Sequence, residues 1–229
     1  MSGAQTSLRE SIERCYASFA AIERPGRLET SPLRDAEDIL HTPTSAPLRA
    51  LMGEQIGPYS GWAMTTVGNE RDYRHFLPRI LELAVDDPVW LGAEPAIIAH
   101  KLCMASWRDW PVKQRSAVLS FFQAAFDASL GAEAGADPKP DEWLCGLVLL
   151  GEPPLPIINR WRASGQPDAV LQMELFVDRE RKNLDRRGAV RGSFWTHVQE
   201  EDRREVAELL LSAETTSYLE ASAVRRFEG

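Results

Sequence analysis

Apolar residues recur at intervals of three and four along most of the chain, the spacing that gathers them on one face of an α-helix. Leu8, Ile12, Cys15, Tyr16, Phe19 and Ile22 do so first, with Arg9, Glu10, Glu13 and Arg14 between them. Residues 7 to about 22 therefore predict an amphipathic helix, ended by Arg24-Pro25-Gly26. The segment to Pro47 is rich in Pro, Ser, Thr and charge and reads as an extended connector, with a short helix over 33–40 after Ser31-Pro32. A helical run from Pro47 to about Ile56 is expected to stop at Gly57-Pro58 and resume from Tyr59 to Val67.

Further on, Glu94–Trp107 predicts a helix with Pro95 in its first turn, and Pro111–Leu130 carries the broadest apolar stripe: Val118, Phe121, Phe122, Ala125, Phe126 and Leu130. Residues 131–140 read as a loop. Asp141 is the expected cap of the helix that holds Trp143, Leu144, Leu147 and Val148. Helices over 156–163, from 167 to about 182, one opened by Glu200-Glu201-Asp202, and a last one over 217–227 complete the chain, with Phe194 and Trp195 as anchors between them. No alternating run of β-branched residues suggests a sheet. The expected class is all-α: an irregular antiparallel helical array, with a HEAT-like α-solenoid as its regular form, although proline, tryptophan and leucine positions show no fixed period. Residues 1–45 form an amino-terminal helix and connector, and 46–229 a helical domain.

One stretch concentrates the chemistry. Between Thr65 and Leu83 three acids, a histidine, three arginines and a proline fall on one predicted helix that starts near Asn69, after the permissive turn residue Gly68. On it Asp72, His75, Arg79 and Glu82 share a side, while Tyr73, Phe76, Leu77, Ile80, Leu81 and Leu83 supply the apolar remainder. Pro78 lacks the amide that would bond the carbonyl of Arg74 and is expected to bend the helix. Two readings compete. In one, Asp72 orients His75 as a general acid or base, Arg74 or Arg79 binds an anionic group, and Thr65 and Thr66 donate from the preceding loop. In the other, which common experience of structural helices favours, Asp72, Arg79 and Glu82 pair within the helix and His75 fills a polar seam.

Composition narrows the classes. The net charge of −8 opposes general binding to nucleic acid or anionic membrane and suits a basic protein partner. Cys15, Cys103 and Cys145 are three, far apart and without a C-x-x-C pair, so they read as reduced, mostly buried thiols of a cytoplasmic protein. No apolar stretch approaches membrane-span length, and the first apolar run is broken by charges that a secretory signal would not carry. His100 and Cys103 stand three apart and with His75 offer three zinc-type ligands, but no fourth is identifiable; no metal or other cofactor is expected. The basic run from Arg179 to Arg191 reads as a solvated helix end beside Gly188, with a phosphate or acidic partner as its functional reading. Phosphate-loop, dinucleotide, zincin and nucleophile-elbow motifs are missing.

The segments A-M-T-T-V-G-N-E-R-D-Y-R-H-F-L-P-R-I-L-E-L (63–83) and W-R-D-W-P-V-K-Q-R-S-A-V-L-S-F-F (107–122), with L-P-I-I-N-R-W (155–161) and S-F-W (193–195), resemble a family of uncharacterised bacterial proteins that share a T-T-x-G-x-x-x-D-[FY]-R-H-F-L-P-R-[IL]-L-E-L core. The likeness spans roughly residues 46–212 and implies a bacterial, cytoplasmic helical protein without bringing an activity. The leading expectation for function is a non-catalytic protein-interaction or scaffold protein, with self-association through the first helix left open. Its rivals are a small hydrolase or transferase using Asp72 and His75 with an arginine anion site, and an acidic immunity or antitoxin-like binder.

Overall fold

A computed structural model describes residues 3–32, 35–90 and 92–227, with backbone alone at 193 and 222–227. Among the described residues there are eleven α-helices and no strand: α1 Gly3–Phe19, α2 Ala36–His41, α3 Gly53–Trp62, α4 Glu70–Asp86, α5 Pro95–Met104, α6 Val112–Ser129, α7 Pro140–Leu149, α8 Pro154–Ala163, α9 Pro167–Arg187, α10 Glu200–Leu210 and α11 Ala213–Phe227. Isolated bridges join Val67 to Thr30 and to Ala63. The all-α class is realised without a fixed helix length, from 6 residues in α2 to 21 in α9. No described helix is long and apolar enough to cross a membrane.

Proline sets several of the boundaries. Pro95, Pro140, Pro154 and Pro167 each open a helix, where a missing amide removes no intrahelical bond. This corrects Asp141 as a cap: with Pro140 first in α7, the cap position falls on Lys139 and Asp141 lies inside the first turn. The segment beginning at Pro47 is also corrected. It makes a short 3₁₀ turn, Leu48–Ala50, and α3 then runs through Gly57 and Pro58. Gly53 serves contact there: a Cβ on it would fall 1.6 Å from Trp90 Cδ1, so the indole lies directly on the α3 backbone. The helix expected to reach Trp107 ends at Met104, because Ser106 is left-handed at φ 49° and Trp107–Asp109 forms a separate 3₁₀ turn. The expected short helix over 33–40 is α2, opened by Asp35, whose carboxylate accepts from the amides of Glu37 and Asp38; residues 33 and 34 lie outside those described.

The chain forms two compact units, 1–125 and 126–229. In the first, α1 packs along α4, and Ile12, Cys15 and Phe19 join Tyr59, Tyr73, Phe76, Leu77, Phe121 and Phe122 in its core. In the second, α8 and α9 enclose a row of aromatic rings: Phe126 meets Trp161 edge-on at 5.9 Å, Trp161 stacks on Phe176 at 6.3 Å, and Phe176 on Trp195 at 6.2 Å. Trp161 Nε1 donates to Ala169 O at 2.8 Å, so the one polar atom of that ring is satisfied inside the core. Cys15 and Cys145 are buried as expected, but Cys103 is exposed, since the end of α5 turns its last residues outward.

Candidate functional site

The α4 cluster begins with a capping box. Asn69 Oδ1 accepts from the amides of Arg71 and Asp72, and Asp72 Oδ2 accepts from the amide of Asn69 at 3.0 Å. Gly68, at φ 66°, turns the chain into this cap. Asp72 is buried; burial raises its carboxyl, and the amide of Asn69 partly offsets the rise. One turn later His75 Nδ1 lies 2.9 Å from the carbonyl of Ile22. A carbonyl can only accept, so Nδ1 carries the proton. Burial lowers the imidazole below the ordinary histidine range and keeps it neutral.

The arginines are equally committed. Arg79 Nε donates to Leu51 O at 2.7 Å, its Nη1 meets Glu82 Oε2 at 2.5 Å, and Tyr16 donates to that same oxygen at 2.6 Å. Arg74 pairs with Glu70 at 3.1 Å, donates to Gln114 Oε1 at 2.7 Å and lies over the Trp110 ring at 5.1 Å. Thr65 donates to Trp62 O at 2.8 Å, and the hydroxyl of Thr66 is buried beneath the turn. Only Arg79 and Glu82 among the proposed residues are brought together. Asp72 and His75 bond to backbone at different places, and of the seven candidates His75 alone lines the adjacent cavity of about 490 Å³, whose walls include Phe19, Ile22, Leu48 and Pro78. His75, His100 and Cys103 are not gathered either: among the described residues no three His, Cys, Asp or Glu side chains are placed to hold a metal.

A concentration of charge around a cavity lies in the second unit, where sequence reading marked Asp141 only as a cap and Arg179 only as part of a basic run. A space of about 450 Å³ is lined by Lys139, Asp141 and Glu142 from α7, Arg179 and Glu180 from α9, and Trp195 from the following turn. Asp141 has a side chain only 10% exposed and meets Arg179 Nη2 at 2.5 Å, whereas the Arg179 side chain is 44% exposed. Burial raises the Asp141 carboxyl and Arg179 draws it back. Glu142 lies 3.6 Å from the Lys139 ammonium. Burial first, and then the neighbouring charge of Asp141, push its carboxyl up to about 7. Glu180 accepts at one oxygen from the amide of Arg191 at 2.8 Å and from Asn183 at 3.0 Å.

A second space of about 430 Å³ shares Lys139, Asp141 and Arg179 with the first and is lined also by Gln172 and Leu175. Gln172 donates through Nε2 to the carbonyls of Ser129 and Ala132, and its buried Oε1 has no partner among the described residues. A signal for this region was present in the sequence: two adjacent acids open a helix that is otherwise apolar, so at least one of them is drawn inward. The partner, Arg179, sits 38 residues on and belongs to a basic run that looks like a solvated helix end. Chemically the region offers fixed carboxylates, one of them poised near neutrality, and cations that stand nearer to solvent.

No protein-family model, curated protein or solved structure matches the chain.

Proposed function

We propose that the chain is a non-catalytic helical binding protein, in which the α4 cluster holds the first unit together and the polar cavity of the second unit receives a partner. The observation that carries this reading is the commitment of Asp72, His75, Arg79 and Glu82 to backbone and side-chain bonds of their own unit, in place of an acid–base pair facing a common cavity. The net charge of −8 suits a basic partner, an immunity or antitoxin-like role included. A reducing bacterial cytoplasm is the proposed setting, consistent with buried thiols at Cys15 and Cys145 and with the family that shares the α4 core motif.

The test is cross-linked capture by the full chain from a bacterial lysate, together with turnover assays on ester, phosphoester, peptide and glycoside substrates. A stoichiometric partner retained by folded Asp72→Asn and His75→Gln supports the reading. Turnover by the wild type that either substitution abolishes overturns it. One observation favours a second reading: Glu142, up at about 7 beside Asp141, has the protonation equilibrium that a general acid or base needs at neutral pH. Turnover lost in Glu142→Gln, and kept in the α4 variants, would establish that reading instead.

A further inference from the structure

Resting on the binder reading above, we propose that the paired cavities of α7 and α9 seat an ammonium or guanidinium group on an alkyl chain, carried by a small amine or by a lysine or arginine of a partner protein. Three observations point to a donor-rich cation. First, the acids form the wall and the cations the outer layer. The Asp141 and Glu142 side chains are 10% and 15% exposed, while their partners Arg179 and Lys139 are 44% and 31% exposed. An entering cation can therefore displace the outer ones from carboxylates that stay in place.

Second, Gln172 is 4% exposed and its Oε1 is an acceptor without a donor, next to the shared residues Lys139, Asp141 and Arg179. Ammonium and guanidinium groups carry donors and no acceptor, so they match this vacancy in hydrogen bonding as an anion cannot. Third, the second cavity continues along the exposed, apolar Leu175, which gives an alkyl stem a surface to cover. The three carboxylates around the first cavity also outnumber its two cations, which disfavours a phosphate there.

Isothermal titration on the full chain tests this with two sets of probes: agmatine and cadaverine as free amines, and a short unstructured peptide containing Lys and Arg. Hexanoate and the peptide with acetylated lysine and citrulline serve as controls. Saturable binding of an amine or of the basic peptide, absent for the controls and weakened about tenfold or more in Glu142→Gln, is the expected result. Gln172→Met, which keeps side-chain volume, is expected to weaken the same probe, while Glu205→Gln on an exposed helix face leaves it unchanged. Binding by the free amines assigns a small-molecule source, and binding by the peptide alone assigns a partner's side chain. No saturable binding in either set, or equal affinity in wild type and in folded Glu142→Gln and Gln172→Met, overturns the proposal. A partner that is still captured by the wild-type chain in that event leaves the binder reading standing by itself.

Discussion

Tyr16 of α1 and Glu82 of α4 share a hydrogen bond of 2.6 Å, and the accepting oxygen also takes Arg79 at 2.5 Å. Arg79 in turn donates to the carbonyl of Leu51, so three segments meet on one guanidinium. The Arg79 and Glu82 side chains are only 13% and 17% exposed, which places this pair beyond the weak regime of surface ion pairs. Tyr16→Phe removes one bond to a charged acceptor and is expected to cost about 2 kcal/mol. Arg79→Met leaves Glu82 half-desolvated and Leu51 O without its donor, and should cost about 3 kcal/mol or more. Urea unfolding followed by circular dichroism measures both; a cost for Arg79→Met smaller than that for Tyr16→Phe would refute the keystone role.

His75 provides a sharper test of the α4 cluster, because its hydrogen bond specifies a tautomer. With Ile22 O as acceptor at 2.9 Å, the proton belongs on Nδ1 and the ring is neutral at pH 7. Nitrogen–proton correlation spectra of the imidazole should show the Nδ1-protonated form, with protonation of the ring only below the ordinary histidine range. A ring protonated on Nε2 alone is incompatible with this contact, and a ring doubly protonated at neutral pH contradicts the lowering of the imidazole by burial; either result would return His75 to the list of acid–base groups.

The contact between Trp90 and α3 predicts strong coupling between two distant positions. A Cβ on Gly53 would overlap the indole, so Gly53→Ala must push Trp90 away from its bond to Asp87. Overpacking of this kind costs about 1–3 kcal/mol. The same substitution in a Trp90→Leu background should cost much less, since the clashing ring is gone. Additive effects in that double-mutant cycle would mean that the indole does not lie on the glycine.

The features that sequence carried well are local ones. The apolar stripe of α4, the Asn69 start and the long α6 follow from side-chain period and capping chemistry, which act within a turn or two. Gly57-Pro58 misled because local rules treat the pair as a breaker, whereas α3 runs through both. The candidate site was less legible for the same reason. The helical spacing of Asp72, His75 and Arg79 is real, yet Asp72 is taken up by the local cap at Asn69, and the partners of His75 and Arg79 are the carbonyls of Ile22 and Leu51, backbone groups supplied by tertiary packing. The cavity beside Glu142 depends on Asp141 and Arg179 meeting across two helices, and no pattern within either helix announces that pair.

Thiol reactivity separates the three cysteines. Cys15 and Cys145 are buried, and burial raises both thiols, whereas Cys103 is exposed with a smaller rise. A thiol reagent applied to the native chain should modify one residue, identified as Cys103 by peptide mapping, and all three after denaturation. Native Cys103→Ser should take up no reagent. Rapid modification of Cys145 in the folded chain would contradict the packing of α7.

Glu142 gives the chain a pH dependence opposite to that of a salt-bridged acid. Its carboxyl titrates at about 7 in the folded chain, against an ordinary value of 4.5. Between those values the folded state holds a proton that the unfolded state has released, so this group's stabilisation is complete below the ordinary value and fades as pH rises to about 7. The limiting slope is about 1.4 kcal/mol per pH unit, reduced where water reaches the group. Asp141 beside it shifts in the same direction, while Lys139 and Arg179 pull against the shift. Denaturation midpoints of wild type and Glu142→Gln, measured from about pH 4.5 to 8, isolate the contribution of Glu142 itself. The difference should favour the wild type at the acidic end and swing toward the glutamine variant as pH approaches neutrality, because the amide never has to ionise in the cavity. A constant difference over that range would show that Glu142 ionises as an ordinary surface acid, and would also remove the support for its acid–base role.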